Sequence, residues 1–228
     1  MFPNPFWQAL TSEHATISLG SGRARRYPAD VIPFGGVAEP DTLSMQALRE
    51  LLGPDETIIT TGEHLAEAPG LTHVGTLPGL QMLLPDAAVP PPESAESSGS
   101  DQIVPLTGDD AGAMVALTDV AFPGFFRPRT YILGSYWGIR TNGELIAMAG
   151  ERVAFPGYRE ISAVCTHPAH IGKGYAAALL QHVARDHAGR GLRSFLHVTA
   201  NNDRAVALYH RLGFTTTANI LFHRLRRS

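Results

Sequence analysis

Two glycines one residue apart, Gly172 and Gly174, constrain this 228-residue chain more than anything else in it. They lie in "REISAVCTHPAHIGKGYAAALLQHVA", residues 159 to 184, between a strand-like run and an alanine-rich helical one. A strand that turns through glycine into a helix leaves the first helical N–H groups unpaired and pointing outward, with a partial positive charge that suits phosphate oxygens. Glycine also lets a ligand approach the backbone without meeting a Cβ. The amides from Ile171 through Gly172, Lys173, Gly174 and Tyr175 to Ala176 are therefore a candidate pyrophosphate cradle. The Lys173 side chain either adds a charge or points into water.

Two familiar phosphate loops compete for this turn. A Walker loop fails, because its first glycine would fall on His167 and the residue after Lys173 is Gly174 rather than Ser or Thr. The dinucleotide pattern G-x-G-x-x-G/A is met in its letters by Gly172, Gly174 and Ala177. However, the 54 residues after Gly174 are too few for the rest of a doubly wound domain.

The chain divides at "PDAAVPPPESAESSGSDQ", residues 85–102, a run rich in Pro, Ser and acidic residues that reads as a flexible linker. Residues 1–84 form a first, smaller α/β segment and residues 103–228 a second. In the second, the pattern reads β-α-β-β-β-α-β-α-β, a mixed sheet with helices against it. Asn142-Gly143 marks a hairpin turn there. In the first, 5–19 reads as a helix, and 30–38, 56–62 and 72–84 as strands. Residues 41–53 read as a helix with Leu43, Ala47, Leu48, Leu51 and Leu52 on its apolar stripe.

Downstream of the glycine turn, "NNDRAVALYHRLGF" supplies a second motif. Asn202 is a good N-cap. Ala205, Leu208, Tyr209 and Leu212 fall at i, i+3, i+4 and i+7 on one helical face, and Gly213 stops the helix. On its own Tyr209 reads as a core aromatic.

Taken together, the strand-turn-helix and the N-x-x-A-x-x-L-Y-x-x-x-G-F helix resemble the GNAT superfamily of N-acetyltransferases, over residues 103–228. "REISAVCTHP" is similar to the branch of glycine N-acyltransferase-like enzymes. The resemblance implies a GNAT-like mixed central sheet flanked by helices. The α/β segment 1–84 before it could also make a strand-helix-strand core and is a candidate reduced GNAT-like half. It implies acetyl-CoA held in a cleft where two parallel strands splay apart. The pantetheine arm would lie along Val164, Cys165 and Thr166, with the pyrophosphate on Ile171–Ala176. Ile171 stands where Arg or Gln is usual, so a side-chain contribution is lost while the amides remain. Asn202 would reach the arm, and Tyr209 would serve as general acid. The acceptor would lie against the loop 122–134, where Phe125, Phe126, Arg127 and Tyr131 are candidates; an arginine there would suit a carboxylate.

Amine acylation also needs somewhere for a proton to go. Glu160 is the candidate base, since strict alternation puts Glu160, Ser162 and Val164 on one face; water is the alternative. Cys165 then alternates away from Glu160 and reads as a small buried hydrophobe rather than a nucleophile. His167, His170, His182 and His187 give no zinc-like set, so no metal is expected.

The expected activity is direct acetyl transfer from acetyl-CoA to a primary amine of a small molecule or amino acid. The alternatives are a protein N-terminal or lysine acetyltransferase, a non-catalytic acyl-CoA sensor, or a module binding another diphosphate. Residues 1–84 would shape the acceptor pocket or a homodimer interface. Composition narrows the classes. A net charge of −3 argues against a nucleic-acid partner, and the arginine clusters 23–26 and 224–227 read as solvated surface. The single cysteine excludes an internal disulfide. Neither a signal peptide nor an apolar run of the ~20 residues that span a membrane is present, so a soluble cytoplasmic protein without membrane association is expected.

Overall fold

A computed structural model describes residues 2–89, 102–121 and 123–228. Five α-helices and ten strands alternate along it. The first segment contributes α1 (Pro5–Leu10), β1 (Ala24–Arg26), β2 (Gly35–Val37), α2 (Thr42–Glu50), β3 (Thr57–Thr61) and β4 (Leu71–Leu83). The second contributes β5 (Ile103–Leu106), α3 (Ala111–Ala121), β6 (Tyr136–Thr141), β7 (Glu144–Phe155), β8 (Tyr158–Thr166), α4 (Tyr175–Gly189), β9 (Arg193–Thr199), α5 (Asp203–Arg211) and β10 (Thr215–Arg227). That order in the second segment is the one its sequence pattern predicts.

Eight of the strands form one mixed sheet in the order β3-β10-β4-β9-β8-β7-β6-β5, and β1 and β2 form a small ribbon beside it. Strands β3 and β4 of the first segment thus flank β10 of the second, and β4 also pairs with β9. The seam in the sequence separates what the sheet joins. Of the proposed linker, residues 90–101 lie outside the described residues.

Apolar clusters cover both faces of the sheet. On one face α4 and α5 bury Leu179, Leu180, Val183 and Tyr209 against Ile146, Ile161 and Leu196. On the other, α1 packs Phe6 and Leu10 with Phe34, Phe155 and Phe195, and α3 packs Met114 and Leu117 with Met148 and Cys165. At ~25 cal/mol per Å² of apolar surface removed from water, these clusters are the main favourable term holding the sheet together.

Several local expectations change. The helix expected over 5–19 stops at Leu10, and a short 3-10 turn follows at Ala15–Ile17. The strand expected over 30–38 keeps Gly35–Val37 alone. In α2, Leu43 is 57% exposed, and Met45 joins Leu48 and Leu52 in the core instead. The arginine clusters are not uniformly solvated: Arg26 is buried, 3% exposed, and paired with Glu56.

The strand that matters most for the site is β8. Ile161 and Val164 pack into the α4-side cluster, whereas Ala163 and Cys165 pack into the α3-side cluster. Strict alternation would put 161 and 163 together and 164 opposite them. The parity flips at Ala163, which has φ +52°, where the register with β7 shifts between Met148 and Gly150. This is a β-bulge: one extra residue that reverses the facing of everything after it. The expected sharing of a face by Glu160 and Val164 is therefore corrected.

Candidate active site

β8 and β9 run parallel and are paired at Tyr158–Glu160 with Arg193–Phe195, and no further. β7 stays paired with β8 out to Thr166. Beyond Glu160 the β9-facing edge of β8 therefore opens into a cleft of about 970 Å³. Val164, Cys165 and Thr166 line it, as do the turn from Ile171 to Ala176, Asn202 and Tyr209. The structure brings every donor-side residue named from the sequence to this one cavity.

The turn is built as the glycines require. Gly172 and Gly174 have φ +89° and +85°, a region that a side chain strains to enter. Gly174 is the N-cap of the 15-residue α4. The first helical hydrogen bond along α4 returns from the Ala178 N–H to the Gly174 carbonyl, so the amides before it open on the cleft. Ideal Cβ atoms at Gly172 and Gly174 would meet nothing within 4 Å, so the space above the turn is clear. Lys173 Nζ lies 3.4 Å from His170 Nδ1.

Tyr209 is held by α5, whose N-cap Asn202 accepts from the Ala205 N–H at 3.1 Å. Burial pushes the Tyr209 phenol up to about 12, so its hydroxyl is protonated at neutral pH. Burial likewise pushes the Cys165 thiol up to about 12, against the backbone hydrogen bond at Met148. A thiol held protonated is a poor nucleophile.

Glu160 differs from its expected role as a base. It is 0% exposed. Arg152 Nε donates to its Oε2 at 2.9 Å, Arg152 Nη2 donates to Oε1, and His197 Nδ1 lies 2.7 Å from Oε1. Burial alone would raise this carboxyl, but the Arg152 charge and the hydrogen bonds from His197 and Arg152 outweigh it and hold it at about 2. Glu160 is not among the residues that line the cleft. Behind it, the Phe2 N–H donates to Gln81 Oε1 at 2.8 Å, and Gln81 Nε2 donates to the Phe2 carbonyl at 3.1 Å. That pair fixes the amide's orientation, so Gln81 Nε2 also donates to His197 Nε2 at 3.0 Å. His197 therefore carries its proton on Nδ1, toward Glu160.

On the acceptor side, one of the four expected residues, Phe125, lines the cleft. Phe126 is buried edge-on against Tyr136, Tyr131 packs on the α3-side cluster, and Arg127 points to solvent. The rest of this wall comes from residues the sequence did not single out: Phe34 and Ile59, Val74 to Leu77 on β4, and Phe222 and Arg224 on β10. Arg224, read from sequence as solvated surface, is thus a cleft residue. Arg152 caps the Phe34 ring at 5.1 Å. The signal that could have found Phe222 and Arg224 is their i, i+2 spacing on a strand of alternating character.

One grouping of metal-type ligands stands out among the described residues: Glu151, Asp186 and His187. The Arg190 guanidinium already fills it, 2.7 Å from Glu151 and 2.8 Å from Asp186. It reads as an ion-pair cluster. No helix among the described residues is long and apolar enough to cross a membrane.

Residues 116–214 match the acetyltransferase (GNAT) family. A crystal structure from Novosphingobium aromaticivorans, assigned to the GNAT acetyltransferases, is 32% identical over 100% of this chain and 98% of its own, with a TM-score of 0.89. The fold is shared at lower identity. A GCN5-related N-acetyltransferase from Kribbella flavida has 19% identity and a TM-score of 0.59, over 92% of this chain and 88% of its own. A GCN5-related N-acetyltransferase-like protein from Streptococcus suis has 15% identity and a TM-score of 0.60, over 97% and 92%. No curated protein matches the chain.

Proposed function

The chain belongs to the GNAT family of acetyltransferases, and from that premise we propose that it moves an acetyl group from acetyl-CoA directly to a primary amine of a small molecule or amino acid. The observation that carries this reading is the parting of β8 from β9 immediately beside an open glycine turn, with Tyr209 on the same cleft. The clear amides above α4 suit a pyrophosphate, and Lys173, Arg204 and Arg211 line the same cavity as further cations for phosphate groups. The unpaired edge of β8 at Val164–Thr166 offers backbone groups to an amide-bearing arm.

In this geometry the amine nitrogen attacks the thioester carbonyl carbon and the carbon–sulfur bond breaks. The Tyr209 hydroxyl gives its proton to the departing thiolate. The amine's proton passes to water, because Glu160 is sealed beneath Arg152 and His197. Attack is direct: the protonated, buried Cys165 supports no acyl-enzyme. On this reading 103–228 hold the donor and 1–84 build much of the acceptor wall. The stretch 159–168 supports a finer placement near glycine N-acyltransferase-like enzymes. A cytoplasmic setting fits the reduced single thiol.

Calorimetry with acetyl-CoA tests the cradle. Wild type should bind in the micromolar range, and Gly174→Val, which forces a β-branched residue to φ +85°, should bind at least about tenfold more weakly. Release of free thiol with an added amine tests turnover. Failure of the wild type to bind acetyl-CoA would sink the reading.

A further inference from the structure

Resting on the acetyl-transfer reading above, we propose that the acceptor is an amine that also bears a carboxylate beside an apolar or aromatic group, a hydrophobic α-amino acid in chemical class, and that Arg224 recognises that carboxylate. The first observation is the charge of the cleft. Arg152, Lys173, Arg204, Arg211 and Arg224 line it, and among the described residues no aspartate or glutamate does. This holds in a chain whose net charge is −3. A polyamine or an amino sugar with several ammonium groups would enter a cavity that offers its charges no partner, an arrangement that repels rather than selects it.

The second observation separates these cations. Lys173 sits on the turn, and Arg204 and Arg211 sit on α5, the side that suits the donor's phosphates. Arg152 is spent on Glu160 through two hydrogen bonds. Arg224 remains. Among the described residues it forms no ion pair or hydrogen bond, and it is exposed to the cleft.

The third observation is what surrounds it. Arg224 lies two residues along β10 from Phe222, on the same face, and opposite Ile59 of β3 and Gly75 of β4. Phe34, Phe125 and Val74 complete an apolar wall. A single unpaired guanidinium at the edge of an aromatic and aliphatic wall is the complement of a carboxylate attached to an apolar side chain. The expectation that an arginine would read a carboxylate here holds its chemistry but changes its residue, from Arg127 to Arg224.

The test compares L-phenylalanine, phenylalaninamide, phenylethylamine and spermidine as acceptors for wild type and Arg224→Gln, by thiol release. Wild type should prefer phenylalanine over its amide and over phenylethylamine by about tenfold or more in kcat/KM. In Arg224→Gln the KM for phenylalanine should rise by a similar factor with kcat held, and the preference should vanish. N-acetyl-L-phenylalanine, titrated calorimetrically into each protein without CoA, should bind more weakly to the variant. The proposal is overturned if wild type favours phenylalaninamide, which would indicate a peptide N-terminus, or favours spermidine. It is also overturned if phenylalanine is not acetylated, or if Arg224→Gln leaves both the KM and the product affinity unchanged. Acetyl-CoA binding measured on the same wild-type sample separates the two readings. Its absence sinks the acetyl-transfer reading, while the product titration still judges the carboxylate site.

Discussion

The two ends of the cleft are made of different material. The proposed donor end is mostly backbone: the free edge of β8, the amides of a glycine turn and the N-terminus of α4, with Tyr209 the one side chain given a proton-transfer role in that proposal. The acceptor end is almost entirely side chain, gathered from Phe34, Ile59, β4, the loop at Phe125 and β10. Backbone sites are specified by short runs of sequence, because a turn and a cap are local. Side-chain walls are specified by the sheet order, and here that order draws on residues nearly two hundred positions apart.

The comparison can be broken in several places. The largest effect should come beneath the cleft, at Glu160. Glu160→Gln leaves the Arg152 guanidinium buried and unpaired and should cost about 3–5 kcal/mol in denaturant unfolding. The same pair fixes an acid response. The carboxyl falls from 4.5 to about 2 on folding, so its stabilisation is complete above pH 4.5 and is lost as pH falls through about 2. The depressed carboxyl is worth roughly 3 kcal/mol at 1.36 kcal/mol per pH unit, and the variant's stability should lack this acid limb. If Glu160 were instead an exposed base, the variant would keep its stability and lose its rate.

Next in size is Tyr209→Phe, which should lower kcat about 100-fold with acetyl-CoA affinity unchanged. Unchanged turnover would strip the donor end of its one active side chain, and an unaltered protein that binds acetyl-CoA but never turns over would be a sensor. Phe125→Ala should raise acceptor KM by a few-fold, about 1 kcal/mol of lost apolar contact, without touching acetyl-CoA binding. Cys165→Ala should keep activity within about twofold; its loss would revive a covalent route. Arg127→Ala should be silent in KM, since the side chain lies in solvent.

The turn, the cap and the helix of Tyr209 were legible in the sequence because each obeys a local rule: glycine for positive φ, asparagine for a cap, a 3.6-residue stripe for Tyr209. Two points lay beyond such rules: Glu160 is buried against Arg152 and His197, partners that no motif marks, and Val164 changes face. Period-2 alternation assumes an unbroken strand, and the bulge at Ala163 reverses the parity, so Cys165 rather than Val164 follows the α3-side face. Arg26 was misread because a run of arginines looks solvated until its partner is known, and Arg224, exposed as expected, was not placed on a cleft. Glu56 lies 30 positions from Arg26, and the cavity beside Arg224 exists only once β3, β10 and β4 have assembled. Arg152, a residue no motif marks, pairs with Glu160 across the β7–β8 hairpin and reaches the distant rings of Phe6 and Phe34.

The sheet order has a consequence for how the molecule comes into being. β10 pairs with β3 on one side and β4 on the other, although more than a hundred residues separate it from both. Neither segment can close its sheet without the other. Until β10 docks, β3 and β4 keep open edges. Folding of such a topology is delayed by long loop closures and is exposed to edge-to-edge association in the interval. Docking of this thirteen-residue strand is therefore the step that joins the two segments, and removing it would part them.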